Sequence, residues 1–226
     1  MQLRIGRCIK WPILATRRAM PATLVWITPH AENLIVKMAR VSNPANEDNM
    51  ATGPRLLKYL IEHKHWSPFE MASMCVRIRT ERDIAAQILR HRSFSFQEFS
   101  TRYAVTAPAD TPALRSQDHK NRQASHDDLP PDVVAYYQRH NGVLLRNLYM
   151  TYNEMLADGV AKETARRILP LCTPTTLYMA GTIRSWIHYL DVRCDESTQF
   201  EHRQVALSIR DIFQQSLPVV SEALWS

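Results

Sequence analysis

Between Arg90 and Tyr103 the sequence RHRSFSFQEFSTRY gathers Arg90, His91, Arg92 and Arg102 around Ser93, Ser95, Gln97, Glu98 and Ser100. Guanidinium groups grip phosphate through paired, charge-assisted hydrogen bonds, while hydroxyls and a carboxylate can orient an uncharged polar ring attached to that phosphate. The combination suits an anionic ligand of the nucleotide kind. A solvated basic helix end followed by a polar loop would account for the charges alone. It gives no reason for Phe94, Phe96, Phe99 and Tyr103 to be interleaved with them, whereas a ligand held against aromatic rings accounts for both sets.

Other candidates are weaker taken singly. His63 and His65 stand two apart with no third ligand nearby, which disfavours a metal site. Pro68 forces Ser67 out of helical geometry and makes a turn before the next element. Arg184 and His188 lie four apart on one helix face, and Arg193 falls off that face and marks the helix end. Ordinary helix-surface charge explains these, as it explains Arg166 and Arg167. With five glycines and no G-x-G-x-x-G or G-x-x-x-x-G-K-[ST] run, any nucleotide must be held by side chains. No H-E-x-x-H, no G-x-S-x-G and no cysteine in a nucleophile setting is present.

The elements that position these groups follow from periodicity. Short runs rich in β-branched and aromatic residues suggest strands over 3–10 and 23–28, then helices over 30–41 and 54–64. Residues 71–79 alternate, with Ala72, Met74, Val76 and Ile78 on one side, and predict a strand. A helix follows, running to about His91, so Arg90 sits near a helix end with Gln87 on the same face. Irregular strand or loop comes next, and 104–131 reads as a long loop. The longest helix is expected over 132–157, with Val134, Tyr137, Leu144, Leu148, Tyr152 and Met155 in one core or interface stripe. A short helix at 161–169, a helix after 175–182 running to about Val192, and a last helix over 198–216 complete an α+β chain in which helices predominate.

At 226 residues, with 45% hydrophobic and 22% charged residues, one folded domain spanning 1–226 is expected. The net charge of +6 favours anionic partners without choosing among them. Four scattered cysteines read as reduced thiols, no apolar run reaches the roughly 20 residues of a membrane span, and a cytoplasmic location is the default.

Arg90-His91-Arg92 followed by seven residues and Ser100, extended as Glu98-x-Ser100-x-Arg102, resembles the signature of flavin-dependent thymidylate synthases. Further blocks stand in the family's order over about residues 30–215: ARVS ending at Ser42, His65-x-Ser67-PFE ending at Glu70, Gln87, AR…LPL from Ala165, and Arg184, His188 and Arg193. The resemblance implies a helix-rich α+β domain with a central antiparallel sheet, of the thymidylate synthase-complementing type. It implies reductive methylation of dUMP to dTMP, with methylenetetrahydrofolate as carbon donor, NADPH as reductant and bound FAD. A homotetramer with sites shared between subunits is implied too, with no metal, no membrane and no required nucleic acid. Carried over by position, Gln87, Arg90, Glu98, Ser100, Arg102, Arg166 and Arg193 contact dUMP, and Arg193 is the catalytic group. By the same resemblance Ser42, His65, Ser67, Glu70, Arg90, His91, Arg92, Ser93, Glu98, Arg184 and His188 would contact FAD. Thr182, Gln97, Thr101 and Met71 depart from the family's frequent residues and leave local detail of the flavin site open. Two alternatives stay open: a related enzyme delivering hydroxymethyl to a pyrimidine nucleotide, and a basic module that stacks single-stranded nucleic acid on its aromatic residues.

Overall fold

Alternation in Ser73–Glu81 (β2) sends Met74, Val76 and Ile78 to one face, where all three are fully buried, and leaves Arg79 exposed on the other. The computed structural model describes residues 20–225, so the strand expected over 3–10 lies outside the described residues. β2 pairs antiparallel with Ala22–Ile27 (β1) on one side and Pro174–Thr182 (β6) on the other, and β6 pairs with Ser95–Glu98 (β3). The resulting sheet has the order β1-β2-β6-β3.

The stretch 175–182, which its sequence leaves without an element of its own, is thus a nine-residue strand in the middle of the sheet. Its buried face is Thr175, Leu177 and Met179. A hydroxyl replaces one of the three apolar positions and Gly181 ends the run, which blunts the period-two signal. The irregular segment after Arg92 resolves into β3, held at the sheet edge by β6.

Helices Ala31–Ala39 (α1), Gly53–Glu62 (α2), Arg82–Ile88 (α3), Ile183–Arg193 (α6) and Phe200–Ser216 (α7) cover the apolar face of the sheet. Ile84 and Ile88 of α3, Trp186 and Tyr189 of α6, and Ile209 and Phe213 of α7 are all fully buried against it, each contributing about 1.5–3 kcal/mol. α3 stops at Ile88 rather than near His91, which leaves Arg90 two residues beyond the helix. The chain does not end its helical course before Pro218: this proline opens a further helix, Pro218–Trp225 (α8), because its fixed φ suits a first turn.

Pro131–Ala157 (α4) runs 27 residues, about 40 Å, yet only Tyr152 of its apolar stripe is buried among the described residues. Tyr137 and Leu144 are exposed, so of the two readings of this stripe the single chain excludes the core. Lys162–Ala165 (α5) and the 3-10 turn Arg166–Ile168 replace the single short helix expected at 161–169. The loop at 104–131 contains one small hairpin, Ser116–Gln117 (β4) with Ser125–His126 (β5). Among the described residues, Cys75, Cys172 and Cys194 are free, no helix is long and apolar enough to cross a membrane, and no group of three or more metal-ligating side chains assembles.

Candidate active site

After α3 the chain turns on two local bonds, His91 N–H to Ile88 O and Phe94 N–H to His91 O, and runs back along α6. His91 lies beside the C-terminal end of α6, Ser93 beside its first turn, and Phe94 over the strand before it. Ser185 Oγ donates to the Ser93 carbonyl at 3.4 Å, and the Phe94 ring meets Trp186 edge-on at 4.7 Å. Gly181 makes this path possible, because a Cβ there would come within 2.4 Å of the Phe94 ring. The aromatic residues of the signature therefore divide: Phe94 is buried and anchors the segment, whereas Tyr103 is 86% exposed.

Arg193 terminates α6, as expected, but it is not surface charge. Its Nε donates to His91 Nε2 at 2.9 Å, joining residues 102 apart in sequence. A nitrogen that accepts from guanidinium is unprotonated, and burial, with Arg193 and His188 beside it, lowers the His91 pKa to about 4. The bond occupies Nε and leaves the Nη groups of a fixed cation available to a ligand. Beneath it lies a buried layer that sequence reasoning missed: His202 of α7, fully buried, with Tyr189 Oη at 3.1 Å and Gln87 Oε1 at 3.2 Å. Burial first, then Arg193 and His91, push its pKa down to about 3. A signal for it existed, since His202 opens the stripe continued by Val205, Ile209 and Phe213, where a polar residue occupies a core position.

The second end of the signature is held differently. Glu98 on β3 accepts from Thr175 Oγ1 at 2.9 Å. Thr101, one of the departures, is buried and accepts from Arg166 at 3.1 Å and from Arg82 at 3.5 Å, tying the loop to the turn after α5. Ser100 and Arg102, with Tyr103, Lys162 and Glu163, line an open groove of about 480 Å³. Among the described residues Arg102 meets only the exposed Glu163 there, at 3.4 Å.

A third group surrounds the start of α6. Thr182, another departure, caps the helix by accepting the Ser185 N–H at 3.3 Å and donates to Glu70 at 2.8 Å. Glu70 also accepts from Arg184 at 2.6 Å, and hydrogen bonds from Arg184 and Thr182 hold its carboxyl below the usual carboxylate range. Arg90, Arg92 and His188 are exposed, His188 on α6 beside His91, and neither arginine has an ion-pair partner among the described residues. Ser42 lies exposed after α1, and Ser67 opens a 3-10 turn whose Phe69 is buried. His65 meets the Tyr59 ring edge-on. The single chain thus brings Gln87, His91 and Arg193 together and Glu70, Ser93 and Arg184 together, and keeps Ser100 and Arg102 at a separate groove.

An α+β chain that presents arginines, neutral imidazole and hydroxyls from a sheet edge and two helix ends, with no glycine-rich phosphate loop, defines a nucleotide-handling enzyme that binds through side chains. The profile of the thymidylate synthase complementing protein family matches residues 23–219. The chain is 51% identical over 195 residues, 86% of its length and 90% of the relative's, to a Paramecium bursaria Chlorella virus 1 protein described as a probable flavin-dependent thymidylate synthase. It is 49% identical over 193 residues to the flavin-dependent thymidylate synthase of Synechocystis, covering 85% of this chain and 89% of that one. Among solved structures, a UMP/dUMP methylase from Streptomyces cacaoi bound with 5-Br dUMP superposes with a TM-score of 0.79 at 27% identity, covering 89% of this chain and 93% of that one. The chain belongs to the flavin-dependent thymidylate synthases.

Proposed function

We propose that residues 1–226 form one catalytic domain, working in the cytoplasm, that converts dUMP to dTMP with methylenetetrahydrofolate as carbon donor and NADPH as reductant. The observation that carries the mechanism is the 2.9 Å bond between Arg193 and His91, which puts a fixed, half-buried cation at the signature segment. The residues present fit FAD: its diphosphate calls for cations, met by the exposed Arg90, Arg92 and Arg184, and its ring for neutral hydrogen-bonding groups, met by His91 and Ser93. Bound FAD would supply the hydride that completes the transferred methyl group.

The chain's own residues do the rest. Arg193 stands beside the uracil and favours its deprotonated imide, raising electron density at the ring carbon that takes the one-carbon unit. Neutral His91 holds that guanidinium in place without competing for the anion. Gln87 beside the Arg193 cluster and Arg166 beside Thr101 contact the nucleotide, and Ser100 and Arg102 take its phosphate. Glu70, Arg184 and His188, with Ser42, His65 and Ser67, flank the flavin, and Glu98 stands between the two ligands. The Arg102 groove is lined by none of the Arg193 cluster on one chain, which supports a site completed by a second subunit. The exposed Tyr137 and Leu144 of α4 supply an apolar face for a homotetramer.

Purified protein is expected to be yellow, to bleach with NADPH, and to yield a product of dTMP mass from dUMP and methylenetetrahydrofolate. Protein that stays colourless and gains no flavin absorbance with added FAD would contradict the proposal. Mass analysis also separates methyl from hydroxymethyl delivery. The same assay with UMP is warranted, because the Streptomyces cacaoi UMP/dUMP methylase superposes here with 5-Br UMP bound at a TM-score of 0.77.

A further inference from the structure

Six side chains form a hydrogen-bonded relay whose direction is fixed from one end. Glu201 of α7 accepts from Arg115 Nη2 at 2.5 Å, and both side chains are mostly shielded from solvent, at 22% and 13% exposure. Burial alone would raise the Glu201 pKa, but the Arg115 hydrogen bond and its neighbours bring it below the usual range, so the carboxylate can only accept. Gln199 therefore turns Nε2 toward Glu201, at 3.1 Å, and offers Oε1 to the next residue. Gln87 must then give Nε2 to Gln199, at 2.7 Å, which leaves its Oε1 facing His202 Nδ1 at 3.2 Å. That contact requires the proton on Nδ1, so Nε2 accepts from Tyr189 Oη at 3.1 Å. Every amide and imidazole orientation follows from the one carboxylate.

We propose that His202 is a positioning residue for the nucleotide: its Nδ1–H holds the Gln87 carbonyl inward, so that Gln87 offers the ligand an N–H directed at a nucleotide oxygen. The inference rests on the reading that Gln87 contacts dUMP, and it assigns the group that anchors the carbonyl end of the amide, as Gln199 anchors its nitrogen end. One Gln87 N–H is used by Gln199, and the second has no partner among the described residues. With the Gln199 bond as its only anchor, the amide could swing its carbonyl outward and present a lone pair to the same oxygen, which would repel it. Packing alone does not call for a histidine here. The site continues the apolar stripe of Val205, Ile209 and Phe213, and a fully buried imidazole is costly unless both nitrogens are satisfied, as they are by Gln87 and Tyr189. His202 itself touches Gln87 rather than the ligand's reacting atoms, so it acts through that amide.

The test is calorimetric titration of dUMP into the FAD-loaded enzyme and its His202→Leu, Gln87→Ala and doubly substituted forms. Each single substitution is expected to weaken dUMP about tenfold, and the double form no further, because the two remove one interaction. Turnover at saturating dUMP should stay within about threefold for His202→Leu, a KM effect without a kcat effect. Losses that multiply to about a hundredfold in the double form, or a His202→Leu enzyme that binds dUMP like the parent, would overturn the proposal. If Gln87→Ala binds dUMP normally, the assignment of Gln87 to the nucleotide fails and this inference falls with it. Weak binding by Gln87→Ala with normal binding by His202→Leu overturns the inference alone. Should His202→Leu fail to fold, His202→Asn, which keeps a donor on the Nδ1 side, should retain affinity, whereas His202→Gln, which reaches the Nε2 side, should lose it. Equal affinities for those two would overturn the proposal as well.

Discussion

The two ends of the Arg90–Arg102 segment are built on opposite plans. At the first end, His91 is half-buried, held neutral and bonded to Arg193, with Phe94 wedged over Gly181 and His202 beneath Gln87. At the second, Arg102 stands in an open groove, 66% exposed along its side chain, against a glutamate that is itself 61% exposed. One end is assembled before any ligand arrives, and the other is left to the ligand or to a second copy. The difference matches the chemistry: a catalytic cation must be oriented in advance, because reorienting it during the reaction would cost the stabilisation it provides. A phosphate grip can tighten as it binds.

If that contrast holds, substitutions at the two ends should separate chemistry from affinity. The largest effect is expected from Arg193→Ala, which should lower dTMP formation by about 10²–10³-fold or more while its melting temperature falls by only a few degrees, read by product quantitation and thermal denaturation. Gly181→Ala should come next. Its new Cβ must displace the Phe94 ring, lowering stability by about 2 kcal/mol and the melting temperature by roughly 4–8 °C, with reduced flavin occupancy by absorbance. Arg102→Ala should raise KM for dUMP about tenfold and leave the melting temperature unchanged, since an exposed pair with Glu163 adds little stability. An Arg102→Ala protein that melts several degrees lower would erase the contrast.

The smallest effect concerns pH. His91 and His202 have folded-state pKa values of about 4 and about 3, below the ordinary 6.5, so the unfolded chain takes up protons first as pH falls. Their contribution to stability is complete above pH 6.5 and is lost as pH falls toward 4 and then 3. Melting temperatures measured across that window should decline in the parent protein, and less steeply in His202→Asn, which has one fewer buried imidazole to protonate.

How much of this was legible in the sequence differs by element. Met74, Val76 and Ile78 announced β2 because one face of that strand is wholly apolar and the other polar. β6 was not legible, because Thr175 occupies a buried position with a hydroxyl and Gly181 leaves a gap that Phe94 fills from elsewhere. The apolar stripe of α4 was readable as a stripe, but the surface it meets is not part of the local pattern, and the single chain leaves Tyr137 and Leu144 exposed. The arginines of the signature stood out by density. Arg193 looked like a charge at a helix end, since its partner His91 lies 102 residues away and only the packing of α3 on the sheet beside α6 brings them together. The relay from Tyr189 to Arg115 was invisible for the same reason, as each link is a contact between distant residues or an amide whose orientation only a neighbour decides.

The central claim is that the Arg193 end of the site is already formed in the protein without its nucleotide. NMR titration of the His91 ring in the dUMP-free protein tests it most directly, with the same titration on Arg193→Ala. The account predicts that His91 titrates near pH 4 in the parent and at a higher pH once the neighbouring cation is removed. A His91 that titrates near the ordinary 6.5 in both proteins would contradict it.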